Sequence, residues 1–577
     1  IMTVGLDFET ETAEDGSCRL IMCALDSEKW QKVYDLTSRE EYIDFIVELI
    51  TSGDKYVVFN ASFDVEIILI MLLKNKFTFL MDKDNPDHKT MKLVMGQKIY
   101  SLSTYFKFNG KLVESKFIDL GNILVGTSLD EVAKKFTNLQ KGNFNVAKED
   151  KEMFMEYCLM DAKIARVAYE NVSELIGGEY LTIGSASFNT MLNMNYPQFS
   201  KKAQKFQAFK KNYGDNTLEF DQYIRKWYAG GLGWSSTDER IETTIHSYDL
   251  KSAYPSECMD ELPTSVGARK FFDFVEPDEE YPYAFIHMKV TGQIKQNHVP
   301  VLPSRNIYGD SNIYIYDDKD VYIIKEYGRK SEYEYFMENM EIDELEVIET
   351  TLMKKAKENP LKKYMEYYFH MKETTTGVER EFAKRMLNAL TGKLGTNPIK
   401  NNMQFGLDIL NKLVRTGAEE TQIDVYVTHV IAVITSRIRC KLYEVDALIR
   451  DKVSFRMYAT DSVKHSNEIK IIPTENKLGK WALEHEDTDF IFLGLKAYIF
   501  DPYDKHGQRE VLCAGISKNY KKLIKNEEFF ASTRVLSLIS VRSGNGRVIY
   551  ETYKKIATPI KKPRRRSKVW TNSEEDY

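Results

Sequence analysis

In the stretch "LDFETE", Asp7 and Glu9 stand one residue apart, and on a predicted strand that spacing turns both carboxylates to one face. Two carboxylates side by side repel, and without a cation one is driven to hold a proton. The pair is a candidate for a divalent metal, or else a solvated strand end. Two more segments supply groups of the same kind. "FNASFD" carries Asn60 and Asp64 behind the strand-like "KYVVF", where Asp64 taken alone reads as a helix cap. "YCLMD" places Tyr157 and Asp161 four apart and so stacked on one helical face, where Tyr157 taken alone reads as half-buried core.

A second group lies further along the chain. "SYDLKSAYP" sets Asp249 at a strand end, followed by Ser252, Tyr254 and the turn residue Pro255. In "KETTTGVEREFAKRMLNALTGKLGTNP", Lys384, Asn388 and Gly392 fall at i, i+4 and i+8 of one helix, a stripe ending where a base pair can approach a bare backbone. With Lys372 and Arg380 that stripe holds enough positive charge to grip a triphosphate. "SFRMYATDSVKHS" reads as strand, tight turn and strand, with Asp461 in the turn and Ala459 where a metal-binding hairpin would carry its first acid.

The elements that must position these groups follow from periodicity. Over residues 1–180, "MTVGLDFET", "RLIMCALD" and "KYVVFNAS" read as strands. "SREEYIDFIVELITS" and "KEDKEMFMEYCLMDAKIARVAYENVSELI" have helical apolar spacing, and Gly177 and Gly178 stop the second helix. This is an α/β pattern. The rest reads as a larger α+β region, with helices at 217–228 and 379–394, strands at 243–250 and 453–465, and many short strands between 281 and 325.

The first group resembles the DEDD 3'-5' exonuclease domain of proofreading DNA polymerases, with Asp7, Glu9, Asp64 and Asp161 at the matching positions. The resemblance implies a ribonuclease-H-like fold and two Mg2+ ions, for which Mn2+ can substitute. It also implies a water-orienting role for Tyr157, a place for Lys141 of "LQKG" near the scissile phosphate, and DNA contacts by Asn60 and Phe63. For the single-strand motif of these domains, "TSLDEV" and "IDLGNI" compete.

The second group resembles family B DNA polymerases. "DLKSAYP" is similar to their DxxSLYP motif, with Ala253 in place of leucine, which implies metal binding by Asp249 and the Leu250 carbonyl and a Tyr254 ring that leaves no room for a 2'-hydroxyl. The helix resembles KxxxNSxYG, with Thr391 where relatives carry tyrosine. It implies that Lys372, Arg380, Lys384 and Asn388 bind the nucleotide and that Gly392 contacts DNA. "YAGGLG" (Tyr228, Gly230, Gly231), "TSRIR" (Thr435, Arg439) and "KAY" (Lys496, Tyr498) resemble three further DNA-contact motifs. "ATD" is similar to the DTD turn; Asp461 matches its second acid, and Ala459 in place of the first reads as an introduced change, or else a natural divergence, and implies impaired synthesis.

The motif order and chain length look like the protein-primed replicative polymerases of small podoviruses. The implied architecture is an exonuclease domain over 1–180 and a palm/fingers/thumb polymerase domain over 181–577. Within the latter, palm is expected at about 181–299 and 426–515, a first insertion at about 300–358, fingers at about 359–394, a second insertion at about 395–425 and thumb at about 516–577. Implied partners are primer-template and single-stranded DNA, deoxynucleoside triphosphates and a terminal protein primer, the chain being a monomer or a heterodimer with that protein.

Composition bounds these readings. A chain of 577 residues needs several cores, and no run approaches the ~18 apolar residues of a membrane helix. The N-terminus lacks a signal-peptide pattern, which with the resemblance implies the host cytoplasm, and Ile1 ahead of Met2 reads as an added residue. Six cysteines without a CxxC pair argue against zinc or a disulfide framework. The net charge of -6 masks local basic runs such as "KKPRRRSKVW", which is either a solvated tail or a phosphate-binding element. A nuclease with a strand-guiding C-terminal half, or a non-catalytic scaffold, would not need both the four acids and the triphosphate grip.

Overall fold

The computed structural model describes residues 1–12, 18–80, 89–95, 99–108, 110–124, 127–144, 150–237, 240–301, 315–407, 413–470, 477–495, 497–501, 510–513, 531–536 and 550–555. The N-terminal part is an eight-stranded sheet. Its order is Gln31–Asp35, Cys18–Asp26, Thr3–Thr12, Lys55–Val58, Lys111–Asp119, Ile99–Phe108, Lys89–Met95, Thr78–Phe79. Thr3–Thr12 runs antiparallel to Cys18–Asp26 and parallel to Lys55–Val58.

The long helix Lys151–Ile176 packs across this sheet, its first turn capped by the Asp150 carboxylate and its end made by Gly177 at φ 70. Helix and strand approach closely because residue 5 has no side chain. A Cβ on Gly5 would sit 1.9 Å from the Ala162 carbonyl oxygen. The segment "KYVVFNAS" is a strand only through Val58, after which Asn60 at φ 79 turns the chain into the helix Ala61–Lys74. Asparagine tolerates that left-handed conformation, so Asp64 falls in the helix's first turn beside the strand ends.

The C-terminal part is built on a seven-stranded sheet. Its order is Glu510–Cys513, Ala497–Asp501, Trp481–Gly494, Ile241–Leu250, Ser462–Ser466, Arg456–Thr460, Leu232–Ser235. The helix Thr428–Ile449, buried along most of its length, lies against the strand Arg456–Thr460. The short strands expected between 281 and 325 are instead two long ones, Tyr283–Ile294 and Ile315–Glu326. They join Pro263–Phe271 and Met340–Lys355 in a single four-stranded sheet, which runs across the expected boundary near residue 300.

The helices Pro360–Thr374 and Gly377–Leu394 pack together, and Ile183–Asn195 packs on both. The Ser187 hydroxyl and the Tyr364 phenol both donate to the Met386 carbonyl, at 3.3 and 3.0 Å. Residues 183–195, expected with the palm, are thus held to these two helices. The segment expected as the second insertion is a hairpin of Ile399–Leu407 and Leu413–Gln422. Its Phe405 is buried in the core of the N-terminal sheet, with its ring 6.4 Å from Phe79. Of the expected thumb, the described residues form one strand pair, Ala531–Leu536 with Tyr550–Lys555. Lys496 and the run "KKPRRRSKVW" lie outside the described residues. Among the described residues, no helix is long and apolar enough to cross a membrane.

Candidate active sites

Asp7 and Glu9 project from the strand Thr3–Thr12, and Asp161 meets them from the long helix. One carboxylate oxygen of each lies within 4.8 Å of the others. Asp64 accepts the backbone N–H of Phe8 and faces the same strand. Burial, then the charges of Asp64, Asp161 and Glu9, push the Asp7 carboxyl well above its ordinary range. Burial first and Asp161 second lift Glu9 to about 7. Asp64 Oδ1 and Asp161 Oδ1 are buried with no hydrogen-bond partner among the described residues. Converging hard oxygen ligands, mutual repulsion and idle acceptors fit a divalent cation such as Mg2+.

Lys141 pairs with Asp161, and its ammonium lies 4.7 Å from the centre of the Tyr157 ring, whose phenol is also bonded to Asp161. Lys141 and Tyr157 therefore border the acids. Asn60 is exposed and Phe63 is half-buried against the N-terminal core.

Two neighbours went unnoticed in the sequence. Asp119, at the end of Lys111–Asp119, accepts the N–H groups of Asn60 and Gly121 at 2.9 and 2.7 Å, and its charge is the largest electrostatic push on Asp64. It belongs to "IDLGNI", whereas Ser128 of "TSLDEV" makes a capping box with Glu131. Cys158 donates its thiol to the Asp7 carbonyl and Oδ2, each at 3.6 Å. The described cysteines Cys23, Cys158, Cys258 and Cys440 are free thiols.

The second group forms one cleft of about 640 Å3. It is lined by Asp249, Leu250, Tyr254 and Asp461 on the sheet side, by Lys372, Arg380, Lys384, Asn388, Thr391 and Gly392 on the helix side, and by Tyr228. Asp249, one residue before the end of its strand, lies directly opposite Ser462, and the Leu250 N–H donates to the Asp461 carbonyl at 2.9 Å. Burial first, then the charges of Asp461 and Glu484, lift Asp249 to about 7, and burial also raises Asp461. Two buried, mutually repelling acids suit a divalent cation here too. The Lys372 ammonium donates to Ser252 Oγ at 3.0 Å and is lowered by burial, with Lys251, Arg380 and Lys384 adding to the effect. Such crowded cations await a polyanion.

The turn bearing Asp461 is strained. Thr460 has φ 63, and the Asp461 N–H donates to the Ala459 carbonyl at 2.8 Å, closing a three-residue γ-turn. Gly231 explains its own place in "YAGGLG", since a Cβ there would lie 2.7 Å from Thr460 Cγ2. Gly230 and Gly392 face open space.

Three residues expected at the DNA are buried. Arg439 is fully buried, paired with Glu332 at 2.6 Å and donating to the Ala229 and Gly230 carbonyls at 2.7 and 2.8 Å. Its donors hold the "YAGGLG" loop from behind. Thr435 is buried and donates to the Ala432 carbonyl. Tyr498 sits in an apolar cluster with Phe490 and Phe500. Motif spacing reports none of this, because burial is set by elements far off in sequence. Glu484 and Lys464, which both act on Asp249 and Asp461, carried no motif signal either.

A family model, DNA polymerase type B, organellar and viral, matches residues 151–475. The DNA polymerase of Bacillus phage Nf is 25% identical over 562 residues, covering 91% of this chain and 94% of that protein. The DNA polymerase of Bacillus phage phi29 is 24% identical over 562 residues, covering 91% and 93%. The solved structure of phi29 DNA polymerase complexed with primer-template DNA and incoming nucleotide substrates covers 92% of this chain and 96% of its own, at TM-score 0.77 and 21% identity.

Proposed function

The chain belongs to the organellar and viral type B DNA polymerases, and on that premise we propose that it is a phage replicative polymerase, protein-primed and strand-displacing, with a 3'-5' exonuclease in its N-terminal part. The observation that carries this reading is the presence of two separate acid clusters, each with its own cations: Asp7, Glu9, Asp64 and Asp161 with Lys141, and Asp249 and Asp461 with Lys372, Arg380 and Lys384. Mg2+ or Mn2+ held by these acids, and by the Leu250 carbonyl, would activate the attacking oxygen and neutralise charge on the leaving oxygen.

In the N-terminal cluster, Lys141 and Tyr157 hold the Asp161 carboxylate and present an ammonium and a phenol toward the phosphodiester. In the cleft, Lys372, Arg380 and Lys384 orient the triphosphate, Asn388 and Gly392 border the nascent pair, and Tyr254 occupies the space a 2'-hydroxyl would need. The partners on this reading are primer-template and single-stranded DNA, deoxynucleoside triphosphates and a terminal protein, in the host cytoplasm. Support comes from the relatives' phage origin and from the primer-template and nucleotide in the similar phi29 structure.

Ala459 belongs to this proposal. It pairs with Gly233 and Ser462 beside the strained turn and supplies no carboxylate. Weak synthesis with intact exonuclease is the expected state. Primer extension comparing this chain with Ala459→Asp tests it: the aspartate should raise extension by at least ~10 to 100-fold, and equal rates would remove the idea. Nucleotide release from a labelled single strand in Mg2+ should vanish in Asp7→Ala with Asp64→Ala, and its persistence would remove the exonuclease assignment.

A further inference from the structure

We infer that Lys464 is a built-in counter-cation of the cleft acids, taking in this chain part of the electrostatic role of a divalent ion at Asp249 and Asp461. The inference rests on the assignment of those two acids as the polymerase centre. Ser462 lies opposite Asp249 and Lys464 opposite Ser247, so Lys464 stands one alternate position from Asp249 on the same face of the sheet. Its side chain is 4% exposed. The ammonium is 3.3 Å from Ser462 Oγ, the residue next to Asp461, and 5.3 Å from the centre of the Tyr498 ring.

A buried ammonium is stable only near negative charge. The carboxylates that the register brings near it are Asp249, directly across from the Ser462 that the ammonium touches, and Asp461, the residue before Ser462. Lys384, the other cation acting on Asp249, is exposed on its helix. With alanine at 459, the centre keeps Asp249 and Asp461 as its acids and has the Lys464 ammonium on the neighbouring strand position. Cation affinity follows the net charge of the ligand set, so Lys464 weakens binding of a divalent ion there.

The test uses the full chain carrying Asp7→Ala and Asp64→Ala, which disable the first cluster, and counts bound Mn2+ by electron paramagnetic resonance. Lys464→Met and Lys464→Gln should each bind Mn2+ about tenfold more tightly or better, as removal of a unit charge a few ångströms away predicts. Lys464→Arg should keep the parent affinity, and Asp249→Asn should abolish binding at the cleft in every background. Unchanged Mn2+ affinity in both neutral variants, with binding still lost in Asp249→Asn, overturns the inference and leaves the polymerase centre assigned. Mn2+ binding that survives Asp249→Asn removes that assignment itself. Weaker nucleotide binding at constant Mn2+ affinity would make Lys464 a phosphate ligand and also overturn the inference.

Discussion

Glu332→Gln removes one charge from the most enclosed ion pair in the polymerase part. The Arg439 and Glu332 side chains are 0% and 1% exposed and meet at 2.6 Å, and the guanidinium also serves the carbonyls of Ala229 and Gly230. Removing one partner of a buried pair costs about 3–5 kcal/mol, because the other charge is left in a medium that cannot solvate it. Glutamine keeps the shape and one acceptor, worth about 1 kcal/mol, so a net loss of about 2–4 kcal/mol is expected. Spread over the entropy of a unit this large, that is a fall of a few degrees in melting temperature. Calorimetry and urea unfolding would measure it, and fluorescence anisotropy would follow affinity for primer-template DNA. Glu332→Leu with Arg439→Met should restore most of the stability, since an apolar pair needs no solvation. DNA affinity should fall with the single change as the loop at 229–230 loosens. A loss below about 1 kcal/mol, or tighter DNA binding through a liberated guanidinium, would refute the positioning role and reinstate Arg439 as a direct contact.

Gly231→Ala should cost about 1–3 kcal/mol from overpacking and depress primer extension, measured in the Ala459→Asp background, while sparing the exonuclease; its Cβ would press on Thr460. Equal loss of both activities would contradict it. Phe405→Ala should cost about 3–5 kcal/mol of packing where the hairpin enters the N-terminal core, read as faster amide exchange over 399–407, and unchanged exchange would argue against docking. The pH dependence follows from Glu9, raised from 4.5 to about 7. The native state then holds more protons than the unfolded state between those values, so cation-free stability should decline as pH rises through that window. Melting in chelator should show the decline and Glu9→Gln should lessen it, the remainder belonging to Asp249, which is also raised to about 7. A parent profile that is already flat would exclude it.

Much of the candidate site was legible because strand and helix periods are local. Alternation on the strand Thr3–Thr12 put Asp7 and Glu9 on one face, and the helical repeat put Tyr157 above Asp161 and Lys384 beside Asn388. Where the chain turns was less legible. "KYVVFNAS" carried its strand pattern past Val58 although Asn60 takes the left-handed conformation, and the segment 281–325 hid two long strands behind its charged and polar residues.

By itself, then, the sequence determined which residues could do chemistry and which side of their own element they occupy. What each side chain meets was decided only by the tertiary structure. Arg439 is spaced like a template contact but is turned inward to Glu332, a residue 107 positions away. Asp119 reaches Asp64, and Lys464 and Glu484 reach Asp249, through sheet register and close packing between distant segments. Charge interactions in a protein depend on distance and on the water excluded between groups, and both come into being only when distant segments close on one another.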